Sequence, residues 1–223
     1  MKIGTNQTNA PLYTAKDSEY FSHKRENIVA LLPDGPNKVL EIGCGFGNTL
    51  IEAKRRGKAS EIIGVDINNL SVSSELDEFI VGNIETAILP YSPGYFDAIV
   101  LADVLEHLQD PWNALKNVLR YLRIGGVCII SIPNIRELRT IGGILLKGRF
   151  EYQDSGILDK AHLRFFCKKD IVQLVYDAGL EIDKIDVKIS PRRKLFNRVT
   201  LALFEDILVD QYFIRSIKKH YRY

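Results

Sequence analysis

The stretch Val39-Leu-Glu-Ile-Gly-Cys-Gly-Phe-Gly47 decides the fold. Lys38 to Ile42 reads as a buried strand that runs directly into G-x-G-x-G, and Asn48 to Arg56 follows as a helix closed by Gly57. A strand, a glycine turn and a helix in that order make a ligand cradle. Glycines let the backbone pass close to a ligand, and the helix N-terminus offers unpaired N–H groups. Asp66 ends a second apolar run, Glu61 to Val65, where an open α/β sheet grips a ribose diol.

Two ligand classes compete for that cradle. A dinucleotide calls for G-x-G-x-x-G. Here the third glycine, Gly47, follows Gly45 after a single residue, and Glu41 stands two residues before Gly43. A carboxylate at Glu41 repels a pyrophosphate and suits an ammonium or sulfonium group, which favours S-adenosylmethionine over NAD.

Outward from the loop, short β-rich runs alternate with helical patterns. Phe79 to Val81 and Phe96 to Ala102 read as further strands, and Asn68 to Glu78 as a Ser/Asn-rich segment holding at most a stunted helix. Pro111 opens a helix with Trp112, Leu115, Val118, Leu119 and Leu122 on one face, stopped by Gly125 and Gly126. Val127 to Ile132 is a fifth strand, ended by Pro133. Asn134 to Phe166, with Gly142, Gly143, Gly148 and Gly156, breaks the rhythm and reads as an inserted loop or lid. A helix over Lys168 to Ala178, a strand over Leu180 to Ile189, a basic turn at Pro191 to Lys194 and a last strand over Asp210 to Ile217 follow; an amphipathic helix over Tyr20 to Leu32 precedes the sheet. The pattern predicts a doubly wound, Rossmann-like α/β sheet covered on both faces.

Composition sets the outer bounds. The 223 residues are 46% hydrophobic and 26% charged, which excludes intrinsic disorder and predicts one large domain with an elaboration. Its parts are an N-terminal arm and helix (1–36), a cofactor-binding core (37–133), the lid (134–166) and the C-terminal part of the sheet (167–223). A net charge of +2 argues against a nucleic-acid partner. Cys44, Cys128 and Cys167 form no C-x-x-C pair, so neither a disulfide framework nor a zinc site is expected, and no metal is assigned. Met1 to Ala10 lacks an apolar signal core, and Leu195 to Ile214 carries Arg198, Glu205, Asp206 and Asp210, so no membrane span is expected. These features predict a cytoplasmic protein.

With the loop, Gly64-Val-Asp66, Val81-Gly-Asn-Ile-Glu85, Phe96 to His107 and Leu122-Arg-Ile-Gly-Gly126, the chain resembles the class I S-adenosylmethionine-dependent methyltransferases from about Tyr20 to Lys219. The resemblance implies a seven-stranded sheet with its last strand reversed. It implies that Glu41, Gly43, Cys44, Gly45 and Gly47 line the methionine side of the cofactor. Asp66 would hold the ribose and Ile67 pack on the adenine, with Asn83 and Ile84 at the adenine edge and Ala102 with Asp103 below the sulfonium. Asn83 departs from the family's usual Asp, but its amide oxygen still accepts from the adenine amino group. Tyr20 is a candidate to close over the cofactor, as is Tyr13, for which ordinary packing is the simpler role.

For a hydroxyl acceptor, the candidates for a base are His107, just after the fourth strand, and His162, at the far end of the lid in His-Leu-Arg-Phe-Phe166. The competing roles are a turn cap for Glu106 and His107 and a lid anchor for His162. Arg164 is expected to pair with Asp159 or Asp170 unless it binds a substrate phosphate. The inserted segment resembles that of enzymes acting on sugars, polysaccharides or secondary metabolites, so the expected acceptor is a small molecule or glycan; a cofactor-binding module without catalysis is the rival. Monomer and homodimer stay open.

Overall fold

The computed structural model describes residues 25–70, 72–199 and 203–220. Tyr13 and Tyr20 lie outside the described residues, and the helix expected from Tyr20 is described only from its C-terminal part, α1 (Glu26–Leu31). Seven strands form one sheet: β1 (Asn37–Ile42), β2 (Ala59–Asp66), β3 (Glu78–Val81), β4 (Phe96–Ala102), β5 (Leu122–Pro133), β6 (Leu180–Lys188) and β7 (Gln211–Lys218). Their order is β3-β2-β1-β4-β5-β7-β6. The first five strands run parallel, and β7 runs antiparallel to both β5 and β6. The expected seven-stranded sheet with a reversed last strand is what forms.

Strand alternation divides the core between the two faces. Val39, Ile62, Val100 and Ile129 pack with Ile28 and Val29 of α1 and Leu50 and Ala53 of α2 (Asn48–Arg55). Leu40, Ile63, Ile99 and Ile130 pack on the other face with Leu115 and Val118 of α3 (Pro111–Val118). Ile171, Leu174 and Val175 of α5 (Lys168–Asp177) complete that side. The chain order reverses between β1 and β4, so the carboxyl ends of these neighbours flank the topological crevice of the sheet.

Three local expectations are corrected. The helix from Pro111 ends at Val118, and β5 already begins at Leu122. Leu122 is buried and pairs with Phe96, and the register then slips so that Ala98 meets Val127, which puts Gly125 and Gly126 inside a strand irregularity instead of at a helix end. Trp112, expected on the buried face, is exposed beside Phe166. In line with a segment that could hold at most a stunted helix, no helix forms among the described residues of 68–77, and Glu78 opens β3.

The lid, expected as a loop, holds α4 (Leu138–Lys147), whose first turn is capped by the Glu137 carboxylate accepting from Thr140 N. Pro191 to Lys194, expected as a turn, opens α6 (Pro191–Val199). There Arg193 pairs with Glu137 and, at 2.8 Å, with Asp210, tying α6 to the start of the lid. Among the described residues no helix is long and apolar enough to cross a membrane.

Asn134 anchors the lid where it leaves the sheet. Its buried amide donates to the carbonyls of Asp206 (2.8 Å) and Val209 (2.9 Å), and its side-chain oxygen accepts from Arg136 N. Asn134→Ala leaves those carbonyls unpaired and is expected to cost about 1–3 kcal/mol in urea unfolding. A loss within error of zero would remove the anchor.

Candidate functional site

Between β1 and α2 the loop turns through three glycines in the left-handed region, Gly43 (φ +65°), Gly45 (φ +55°) and Gly47 (φ +81°). At Gly47 a Cβ would come within 2.5 Å of the Leu76 side chain, and at Gly43 within 2.6 Å of Val104 Cγ2. Both conformation and space therefore require glycine at these two positions.

Glu41 lies under this loop with 0% exposure, and among the described residues neither carboxylate oxygen has a well-formed hydrogen bond, the Thr49 hydroxyl lying beside it. Burial pushes its pKa up to about 7; the charge of Arg25 and the Thr49 hydroxyl oppose that rise, while Asp66 and Asp103 add to it. Asp66 accepts from Gly45 N and Asn68 N, each at 2.9 Å, so it braces the loop from the end of β2. Burial raises its pKa against these backbone donors.

Ile67, beside Asp66, is 47% exposed. The Asn83 side chain accepts from Glu85 N at 3.0 Å within its turn. The Ile84 side chain is buried in the core with Leu89, so what it leaves to a ligand is its backbone. Cys44 contributes backbone to the loop, but its thiol is turned toward Gly64 and held protonated by burial.

Ala102 is buried at the end of β4, and the next residue, Asp103, has φ +58°, a left-handed backbone rare outside glycine and concentrated at functional sites. Asp103 accepts from Arg25 (Nη2 at 3.2 Å, Nε at 3.3 Å), from Ser131 Oγ at 2.9 Å and from the Gln211 amide. Arg25, Ser131 and Gln211 come from the edge of α1, from β5 and from β7, and no motif marks them.

Past Asp103 a short 3-10 turn, Leu105–His107, meets the end of the lid. The carbonyl of Glu106 accepts from Leu163 N (2.8 Å) and Arg164 N (3.0 Å). His107 Nδ1 contacts Ala161 O, and His162 Nδ1 contacts Ile157 O, both at 3.0 Å. A carbonyl only accepts, so each Nδ1 carries a hydrogen. The two rings meet edge to face at 4.7 Å. The fold thus brings the two candidate histidines to one place, and His162 is tied to the lid backbone at Ile157 through Nδ1.

Glu106, read from sequence as a cap, has a buried carboxylate with no hydrogen-bond partner, and burial, then the Asp103 charge, holds its pKa well above the usual range. Arg164 corrects its expectation: its guanidinium donates to Gln109 O, not to Asp159 or Asp170. Phe165, beside the His162 ring, stacks on Phe150 and Tyr152 of the lid, and both of the latter are exposed. A cavity of about 430 Å³ under α4 is lined by Arg139, Lys147, Arg149 and by Ile157, whose carbonyl holds His162.

Residues 13–185 match the family model described as a methyltransferase domain. The ubiquinone biosynthesis O-methyltransferase of Paracidovorax citrulli is 25% identical over 71% of this chain and 72% of its own length. The ubiquinone/menaquinone biosynthesis C-methyltransferase UbiE of Idiomarina loihiensis is 32% identical over 42% of this chain and 41% of its own. Among solved structures, a SAM-dependent methyltransferase from Archaeoglobus fulgidus superposes with a TM-score of 0.66 over 90% of this chain and 97% of that one, at 19% identity.

Glu41 makes stability depend on pH. Its folded pKa, about 7, lies above the unfolded value near 4.5, so the folded state holds the extra proton between them. The stability this contributes is full below pH 4.5 and is lost as pH rises through 7, by about 3 kcal/mol in all. Glu41→Gln is expected to flatten the fall between pH 5 and 8 in denaturant titrations; an unchanged slope would refute the assignment.

Proposed function

The chain belongs to the methyltransferase-domain family and uses S-adenosylmethionine, and from that premise we propose that it transfers a methyl group to a hydroxyl of a small, ring-bearing acceptor. The observation that carries the cofactor side is the fully buried Glu41 carboxylate under the glycine loop, which has no well-formed hydrogen bond among the described residues. A carboxylate so placed fits an ammonium, and the left-handed turns at Gly43, Gly45 and Gly47 carry the backbone close over that place. Bound there, the cofactor supplies an electrophilic methyl group on a sulfonium.

This chain's residues do the rest by placement. Asp66 has lone pairs beyond those used by Gly45 and Asn68 for a ribose diol, with Ile67 exposed alongside for the adenine face. Glu41 and the loop hold the methionine end, and Arg25, already drawn to Asp103, is placed to meet its carboxylate. Asp103 is held on the crevice by Ser131 and Gln211.

This reading assigns the acceptor hydroxyl to the place where His107 and His162 meet ring to ring at the lid end. Phe165, Phe150 and Tyr152 offer flat apolar faces to a ring, whether aromatic or sugar. The relatives include both O- and C-methyltransferases. The oriented imidazole pair favours oxygen, because a hydroxyl gives up a proton that a positioned polar group can manage.

Transfer of labelled methyl from S-adenosylmethionine to a panel of phenols, catechols and sugars tests this. His162→Ala is expected to lower turnover by about two to four orders of magnitude with cofactor affinity unchanged. Loss of cofactor affinity instead would reduce His162 to a lid anchor. Cofactor binding without transfer to any acceptor would favour the non-catalytic module.

A further inference from the structure

We propose that Glu106, His107 and His162 form a binding site for one first-row divalent metal ion, of the Zn²⁺, Mn²⁺ or Fe²⁺ class, at the acceptor side of the cradle. The inference deepens the function proposed above and rests on it for the ion's role, though not for its binding. Its first ground is convergence. A carboxylate oxygen and two imidazole nitrogens, from the turn after β4 and from the far end of the lid, lie within 4.8 Å of one another.

The second ground is orientation. Imidazoles that ligate metals almost always donate their other N–H to a carbonyl or carboxylate, which fixes the lone pair toward the metal. Both histidines do so here, His107 to Ala161 O and His162 to Ile157 O. The third ground is Glu106, at 1% exposure with both oxygens unpartnered. A buried carboxylate without donors is costly unless a cation meets it.

The donor set selects the ion. Mg²⁺ and Ca²⁺ prefer all-oxygen shells, whereas two imidazoles and one carboxylate suit the borderline first-row ions. Three protein ligands are the number found at open, catalytic sites, while closed structural sites take four. With bonds of about 2.0–2.2 Å, the ligand atoms must draw closer than 4.8 Å, which pulls the lid end onto the β4 turn. The hydrogen bonds of Leu163 and Arg164 to Glu106 O already hinge these two segments together. The open positions then take the acceptor oxygen, whose displaced hydroxyl proton goes to water. No cysteine takes part, so the site is compatible with the absence of C-x-x-C pairs.

The test uses untagged full-length protein stripped with a chelator and titrated calorimetrically with ZnCl₂ and MnCl₂. Co²⁺ absorption is recorded on the wild type, and binding of S-adenosylhomocysteine is measured in parallel. One ion per chain is expected, with Co²⁺ d–d bands and no thiolate charge-transfer band. Glu106→Gln and His162→Gln are expected to weaken binding by roughly a hundredfold or more, with S-adenosylhomocysteine affinity unchanged.

Two results would overturn the site: no ion bound by folded wild-type protein, or equal binding by the wild type and both variants. Should a variant fail to fold, the Co²⁺ spectrum of the wild type decides, since spectra lacking nitrogen–oxygen coordination would refute it. Failure of S-adenosylhomocysteine to bind while the ion does would overturn the function proposed above and leave the metal site standing.

Discussion

A fully buried carboxylate, with no well-formed hydrogen bond among the described residues, is the constraint around which this crevice is built. Glu41 sits on β1, the central strand of the parallel half, where both neighbours are strands and both faces are covered. Water is excluded, and the backbone groups nearby are committed to the sheet. The fold therefore holds this carboxyl where its ionised form is poorly stabilised, and either a proton or a ligand bearing positive charge relieves that cost.

The same sign recurs around it. Asp66 ends β2, Asp103 follows β4, and Glu106 lies in the next turn, so four acidic side chains gather at the carboxyl ends of three strands. Arg25 is their cationic neighbour, paired with Asp103 and acting on Glu41 and Glu106 through its charge. A chain of net charge +2 thus carries a concentrated anionic crevice. That polarity suits a sulfonium cofactor and a metal ion, and it opposes a pyrophosphate. The left-handed backbone of Asp103 belongs to this arrangement, because it is at that residue that the chain turns from β4 into the histidine-bearing turn.

Much of this was legible in sequence wherever the cause is local. The glycine loop, Asp66 and the parallel strands announce themselves by spacing and by apolar runs, and both histidines were singled out by their place beside a strand end or lid end. What sequence hid is long-range or two-valued. Arg25 meets Asp103 across 78 residues, and Gln211 meets it across 108, with no pattern to link them. Gly125 and Gly126 carry the signal of a helix stop, but the buried Leu122 had already entered the sheet. The lid helix escaped notice because α4 leaves Leu145 and Leu146 exposed and holds a glycine pair, so it lacks the buried stripe by which amphipathic helices are recognised. Glu106 reads in sequence as an ordinary turn residue; only its burial reveals it as a site residue.

The central claim, that Glu41 meets the positive charge of the cofactor, is tested most directly by calorimetric titration of S-adenosylmethionine at pH 7 in two buffers of different ionisation enthalpy. A cation drawn against a carboxylate that is partly protonated at that pH must expel the proton. The account predicts stoichiometric binding with net release of a fraction of a proton, abolished in Glu41→Gln. Binding without proton release, or no binding at all, would contradict it.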